Sequence, residues 1–582
     1  MFPMYFVLLG IIVYLAAYYI YARWFDRNIV RPDPKKPTPA HMYMDGIEFF
    51  PTNRYVLYGF QFKGIAGLGP ILGPFVALAY GWLPALLWIL LGNFFIGWIH
   101  DYSTIVLTVR NDGKTLGPLT YEYIGSRARN ALIGFLLFYL ILITAVFVFL
   151  CAKFFQSYPV SVLPVLFTVI AGIISGLLVY KFRVQITVAT IIGIILVAIG
   201  IAVGIFVPVS VDAIFGKEGA FVFWMFIVCL YCFIGAVTPL LWYTQPVVYL
   251  ASFPCIFGIL LLIIGALVTP LTGVELGQPA AKVEYWFSPH DLPLEKWVGP
   301  IWPILTVSIA CGAISGWHSL VGTSGSGRQI DVETDMLPVG AGAMLTEGLL
   351  ALSSLAAYMV LLPEEVVAVK WVSLVAGAKK LIAPILGGVE VSGAFIEAFF
   401  AMWLELYAIT IQMLVTRFFR LAVAEAAAPV PALKVTIGNK YVASALGLLI
   451  GAIFAWTGAW SDLWMLFGGS NQLLAGLALL LATLYYMRER GVGIYTLGPG
   501  IFMVLTCEAA LIWEAFKLFY AVAIGVPVAT GILATPEWKA VGLGLDATFG
   551  VVGIILFILG LIVIVDWVRS YRKVKAAATK AE

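Results

Sequence analysis

Gly64-Ile65-Ala66-Gly67-Leu68-Gly69-Pro70-Ile71-Leu72-Gly73-Pro74 lies in the middle of an apolar segment. Four glycines and two prolines weaken its helix propensity, and the prolines carry no backbone donor. A membrane-spanning helix here loses its i to i−4 ladder at mid-depth. Irregular backbone at that depth persists only where it is buried in protein or lines a water-filled cavity, and transporters bind substrates and ions at such breaks. The stretch predicts a discontinuous helix beside a binding site.

The rest of the chain supports a membrane setting. Of 582 residues, 62% are hydrophobic and 11% charged, with a mean hydropathy of +1.01. A soluble chain carries about a quarter charged residues, so the class is an all-α polytopic membrane protein. A net charge of +3 says little about partners; those expected are a small-molecule substrate and the lipid bilayer, with no nucleic acid. All six cysteines fall inside apolar runs without metal-type spacing, which predicts no disulfide, no zinc site and no cofactor. Residues 4–21 are apolar without a basic region before them or a small-residue cleavage site after them, and read as a retained membrane anchor.

Apolar runs of about 20 residues, bounded by charge, Pro or Gly, give fifteen predicted spans. With the amino terminus outside, the cytoplasmic segments hold 24 of the 34 lysines and arginines. The outer ends hold nine lysines, Lys296 and Lys370 among them, and no arginine. This alternation predicts a multi-pass protein of the cytoplasmic (inner) membrane with its carboxyl terminus in the cytoplasm. Lys114 to Asn130 reads as an amphipathic, interfacial stretch.

The spans divide into a peripheral helix and linker (1–56), a first five-helix set (57–208), a second (219–420), peripheral carboxyl-terminal helices (438–570) and a basic tail (571–582). Each set opens on an interrupted helix, the second at Gly235-Ala236-Val237-Thr238-Pro239 followed by Gln245-Pro246. The two sets start on opposite sides, the pattern of an inverted repeat with a central site.

Several strings resemble the carbon starvation protein A (CstA) family. They are Pro51-Thr52-Asn53-Arg54-Tyr55, the Gly/Pro stretch, Gly81-Trp82-Leu83-Pro84 and His100-Asp101. Further along come Ile314-Ser315-Gly316-Trp317-His318-Ser319, Gly340-Ala341-Gly342-Ala343-Met344-Leu345-Thr346-Glu347-Gly348 and Leu466-Phe467-Gly468-Gly469-Ser470-Asn471-Gln472-Leu473-Leu474-Ala475. The resemblance covers most of the chain. It implies an inner-membrane transporter of peptides or pyruvate tied to nutrient scavenging, akin to the amino acid/polyamine/organocation group with its LeuT-like core. The chain departs from the family pattern at Phe60-Gln61, Val247-Val248, Met413 and Lys63.

Ionisable groups at membrane depth cost about 2.5–3.5 kcal/mol or more unless paired or hydrated, so each marks a candidate site. Lys63, one residue before the break, is placed to pair with Asp101, Glu405 or a substrate carboxylate; the alternative is snorkelling to an interface. Freed amides at Gly67, Gly69 and Ile71 suit a carboxylate, and freed carbonyls at Gly64 and Ile65 suit a cation. Thr238, Trp242 and Gln245 flank the second interruption as a candidate pocket wall. Ser315, Ser319 and Thr323 offer oxygens for a sodium-like site, or interhelical hydrogen bonds. His318, Asp101 and Glu347 are candidate proton carriers, or packed hydrogen-bonding groups. Asn471-Gln472 reads as glue between helices outside the ten-helix core.

The repeat predicts a 5+5 inverted-repeat fold and an ion-coupled transporter; the resemblance implies that the core is LeuT-like and the cargo an imported small carboxylate-bearing nutrient, with H⁺ or Na⁺ as the coupling ion. Two alternatives stay open: a membrane enzyme using His100, Asp101 and His318, and a nutrient sensor that moves nothing.

Overall fold

Apolar runs long enough to cross a bilayer fold here as helices laid side by side, because only helices satisfy every backbone group away from water. The computed structural model describes residues 1–286, 299–369, 372–458, 460–528 and 535–581, so Lys296 and Lys370 lie outside the described residues. Among the described residues there is no strand, only a β-bridge between Thr52 and Ile330.

Helix α1 (Met4–Val30) precedes a broken helix made of α2 (Arg54–Ile65) and α3 (Gly69–Ala77). Then come α4 (Trp82–Arg110), the short α5 (Leu116–Tyr123) and α6 (Ser126–Ser157). Four further spans follow: α7 (Val162–Tyr180), α8 (Ile186–Phe206), α9 (Asp212–Val237) and α10 (Thr244–Leu267). A second broken helix is built from α11 (Ile301–Ser308) and α12 (Gly316–Ser324). The remainder is α13 (Ala343–Met359), α14 (Val389–Ala427), α15 (Lys440–Trp456), α16 (Trp460–Arg490), α17 (Ile494–Ile524) and α18 (Lys539–Ala581).

Twelve helices among the described residues are long and apolar enough to cross a membrane, against fifteen predicted spans. The other three spans are helical too. One is short (α15), one carries Glu508, Glu514 and Lys517 (α17), and one is broken in two (α11 and α12).

The first break falls where the sequence places it. Ala66 leaves the helical region at ψ 103°, and Pro70 lacks the N–H that would close the turn onto the Ala66 carbonyl. The second interruption does not match expectation. Thr238 leaves the helix at ψ 154° and residues 238–243 form a turn, so Gly235 to Pro239 separates two full spans, α9 and α10, instead of halving one. The second discontinuous helix lies at Ile309 to Ser315, a stretch whose small residues Ala310, Cys311, Gly312 and Ala313 let another backbone approach. The boundaries 57–208 and 219–420 therefore do not each open on a broken helix.

The two breaks pack directly on each other. A Cβ at Gly69 would sit 2.5 Å from the Cys311 Sγ, and one at Gly73 would sit 2.7 Å from the Ile309 Cα. Neither position has room for a side chain, and this close approach is the structural use of those two glycines.

Candidate functional site

The paired breaks are held by hydrogen bonds to backbone that the interruptions leave free. The Trp317 indole N–H donates to the Gly64 carbonyl over 2.8 Å, tying α12 to the end of α2. Asn471 on α16 clasps the second break. Its Oδ1 accepts from the Trp317 amide (2.8 Å) and the Tyr139 hydroxyl (2.9 Å), and its Nδ2 donates to the Ala310 carbonyl (2.6 Å). Next to it, the Gln472 amide donates to the carbonyls of Thr306 and Ile309, each at 3.0 Å. Asn471-Gln472 is glue, as expected, but the groups it joins are the free backbone of the second break. Mid-bilayer backbone without such partners would not survive.

A chain of ionisable side chains lies beside this clasp. Asp101 (α4) receives His100 Nδ1 at 2.8 Å and His318 Nδ1 (α12) at 2.9 Å. A carboxylate only accepts, so both histidines carry their proton on Nδ1 and His318 presents Nε2 to Glu347 on α13. Nε2 stands 3.0 Å from Glu347 Oε2, out of line for a hydrogen bond, and the Cys311 thiol is the other polar group beside the ring. All four residues are at most 1% exposed. Two acceptors facing each other in a sealed interior need a proton or another cation between them. Cys311, His318 and Glu347 also bring ligand atoms within 4.8 Å of one another, a donor set able to hold a metal ion that the cysteine spacing alone did not foretell.

Lys63 is fully buried at the first break and does not snorkel. It donates to the Ala66 carbonyl at 3.0 Å and the Thr410 hydroxyl at 2.7 Å, with its ammonium 4.5 Å from the centre of the Tyr407 ring. No ion pair to Asp101 or Glu405 forms. Glu405 is buried with the Cys151 thiol as its polar neighbour.

The remaining predicted residues are dispersed. Gly64, Ile65, Gly67 and Gly69 line the first break, with Gly67 against Phe147 and Ile411. Ser315 is bonded to Asn471 at 3.1 Å. Ser319 and Thr323 donate to the carbonyls of Gly316 and Ser319 in their own helix, at 2.6 and 2.7 Å. Thr238, Trp242 and Gln245 lie away from the breaks: Trp242 is 45% exposed, the Thr238 hydroxyl donates to Ile234, and Gln245 pairs with Gln329 at 2.6 Å. Their expected pocket moved with the second break, which is formed by residues 309–315 instead.

A cavity of about 190 Å³, lined by Gly117, Leu320, Ser324, Arg328, Phe418 and Glu425, reaches toward the breaks between α5, α6, α12 and α14. Phe418 packs on Trp317 with ring centroids 5.3 Å apart, so this aromatic pair stands between the cavity and the Gly64 carbonyl.

The fold and site define a multi-pass membrane protein centred on two broken helices clasped at their breaks. The chain belongs to the carbon starvation protein CstA family, whose model matches residues 3–376 and 369–510. It is 32% identical over 362 residues to the pyruvate/proton symporter BtsT of Escherichia coli (strain K12), a match covering 61% of this chain and 49% of that protein. It is 27% identical over 576 residues to the peptide transporter CstA of Campylobacter jejuni (86% of this chain, 78% of the relative). It is 26% identical over 606 residues to the peptide transporter CstA of Bacillus subtilis (strain 168), covering 97% and 96%. The match to BtsT spans about half of that relative's length.

Proposed function

We propose that this chain is a proton-coupled secondary transporter that imports a small carboxylate-bearing nutrient, a peptide or pyruvate, across the cytoplasmic membrane. The observation that carries the reading is the buried chain Asp101–His318–Glu347, which joins three helices around the second break. With a proton between His318 and Glu347, α12 and α13 attract each other. Without it, two acceptors oppose each other at 3.0 Å and favour separation. Proton occupancy therefore biases the position of the broken helix, the element that alternating access has to move. A histidine set between two carboxylates is built to gain and lose a proton, which favours H⁺ as the coupling ion. The names of the relatives, pyruvate/proton symporter and peptide transporter, supply the substrate classes.

The corrected break positions support a LeuT-like inverted repeat in a new register. One set is α2/α3, α4, α6, α9 and α10, with the α7–α8 hairpin inserted. The other is α11/α12, α13, α14, α15 and α16. Packing supports this pairing. Both α9 and α15 pack on α6 and α14. Helix α10 packs on α2, α13 and α14, while α16 packs on α11, α12, α4 and α6. Substrate binds in the cavity beneath the Trp317–Phe418 pair, which separates it from the Gly64 carbonyl at the first break.

The enzyme alternative meets its geometric condition, because His100, Asp101 and His318 come together. All three are sealed from solvent, which suits a gated proton site better than catalysis on a soluble substrate. Proteoliposome uptake of radiolabelled pyruvate and dipeptides, under separately imposed proton and sodium gradients, tests the reading. Accumulation driven by the proton gradient is expected; uptake of none of these solutes under any gradient would overturn it.

A further inference from the structure

Lys63 is a fully buried cation beside the first break, and its surroundings explain what it does. The first break leaves the Ala66 carbonyl without a helical donor, because the residue four positions on is Pro70. Thr410 gives its own proton to the Leu406 carbonyl at 2.7 Å, so it turns a lone pair, not a hydrogen, toward the break. The face of Tyr407 completes the surroundings with the negative side of its ring quadrupole. A carbonyl, a hydroxyl lone pair and an aromatic face are the ligands of a monovalent cation. The ammonium of Lys63 fills that place, at 3.0 Å, 2.7 Å and 4.5 Å respectively. Among the described residues no carboxylate lies within ion-pair distance of it. The buried charge is therefore held by uncharged oxygens and a ring, as a bound ion would be.

We propose that the first helix break forms a monovalent-cation site whose permanent occupant is the tethered ammonium of Lys63. The site takes no free sodium or potassium ion while the lysine is in place, and the ammonium ties the break to α14. A substrate carboxylate does not find a free lysine here, since the donors of Lys63 are engaged by the protein itself. The site stands on its own geometry. Its link to transport rests on the reading above, and the test below reads binding, so the two fail separately.

Truncating Lys63→Ala removes three methylenes and the ammonium while leaving the oxygens in place. The full chain, purified in detergent, is melted in chloride salts at constant ionic strength with choline as reference. For Lys63→Ala we expect n-propylammonium to raise Tm with concentration, by about 2 °C or more at saturation, whereas 1-propanol of the same shape does not. Ammonium, potassium and sodium produce smaller rises. The wild type is indifferent to the whole series. Equal effects of n-propylammonium and 1-propanol, or a wild type that responds to sodium as the variant does, overturn the proposal. If Lys63→Ala is not recovered folded, Thr410→Val and Thr410→Ser carry the test. The valine variant, which keeps the lysine but loses the oxygen, melts below the serine variant; equal melting of the two overturns the proposal.

Discussion

Trp317 donates its indole N–H to the Gly64 carbonyl across 2.8 Å, joining the second helix break to the first. The bond exists because the Gly/Pro stretch frees a carbonyl that a continuous helix would have used. In Trp317→Phe this carbonyl stays buried and unpaired, at a cost of about 1–3 kcal/mol. We expect a lower Tm and slower uptake for that variant. An unchanged melting curve would show that the two breaks are held together by other contacts.

Asn471 serves three helices at once, receiving bonds from Tyr139 and Trp317 and giving one to Ala310. Asn471→Ala is expected to destabilise by on the order of 3 kcal/mol, since several buried groups lose their partner together. Urea or thermal unfolding in detergent checks this. Stability equal to wild type would remove the role of α16 as the clasp.

Gly73→Ala places a methyl 2.7 Å from the Ile309 Cα, a backbone atom that cannot step aside. The expected cost is about 1–3 kcal/mol with loss of transport. Gly544→Ala, in a helical position with nothing within 4 Å, is the control and is expected to be neutral or slightly stabilising. If both variants melt alike, the breaks are not closely packed.

Trp242 is 45% exposed on the turn between α9 and α10. Trp242→Ala is expected to leave uptake unchanged. A strong loss of substrate affinity would return the pocket to the position suggested by Gly235 to Pro239.

Legibility followed the physics of each signal. The first break was readable because four glycines and two prolines act locally, and Pro70 removes a specific hydrogen bond. The second was misplaced because a Gly/Pro cluster marks a turn between spans as readily as a break within one. The true break, Ile309 to Ser315, contains no proline and owes its shape to Asn471 and Gln472, more than 150 positions away in sequence. Asp101, His318 and Glu347 were each legible as ionisable groups in apolar surroundings, but their convergence depends on how three helices pack. Lys63 was legible as an anomaly; its partner Thr410 lies 347 residues away and was not.

In the proposed mechanism a proton held between His318 and Glu347 drives the transport cycle. Its most direct test is proton movement itself, followed by a pH-sensitive dye inside proteoliposomes when pyruvate or a dipeptide is added outside. The wild type should acidify the lumen as substrate enters. Glu347→Gln should exchange labelled for unlabelled substrate but move no protons. Substrate-dependent acidification by Glu347→Gln at the wild-type rate would contradict the account.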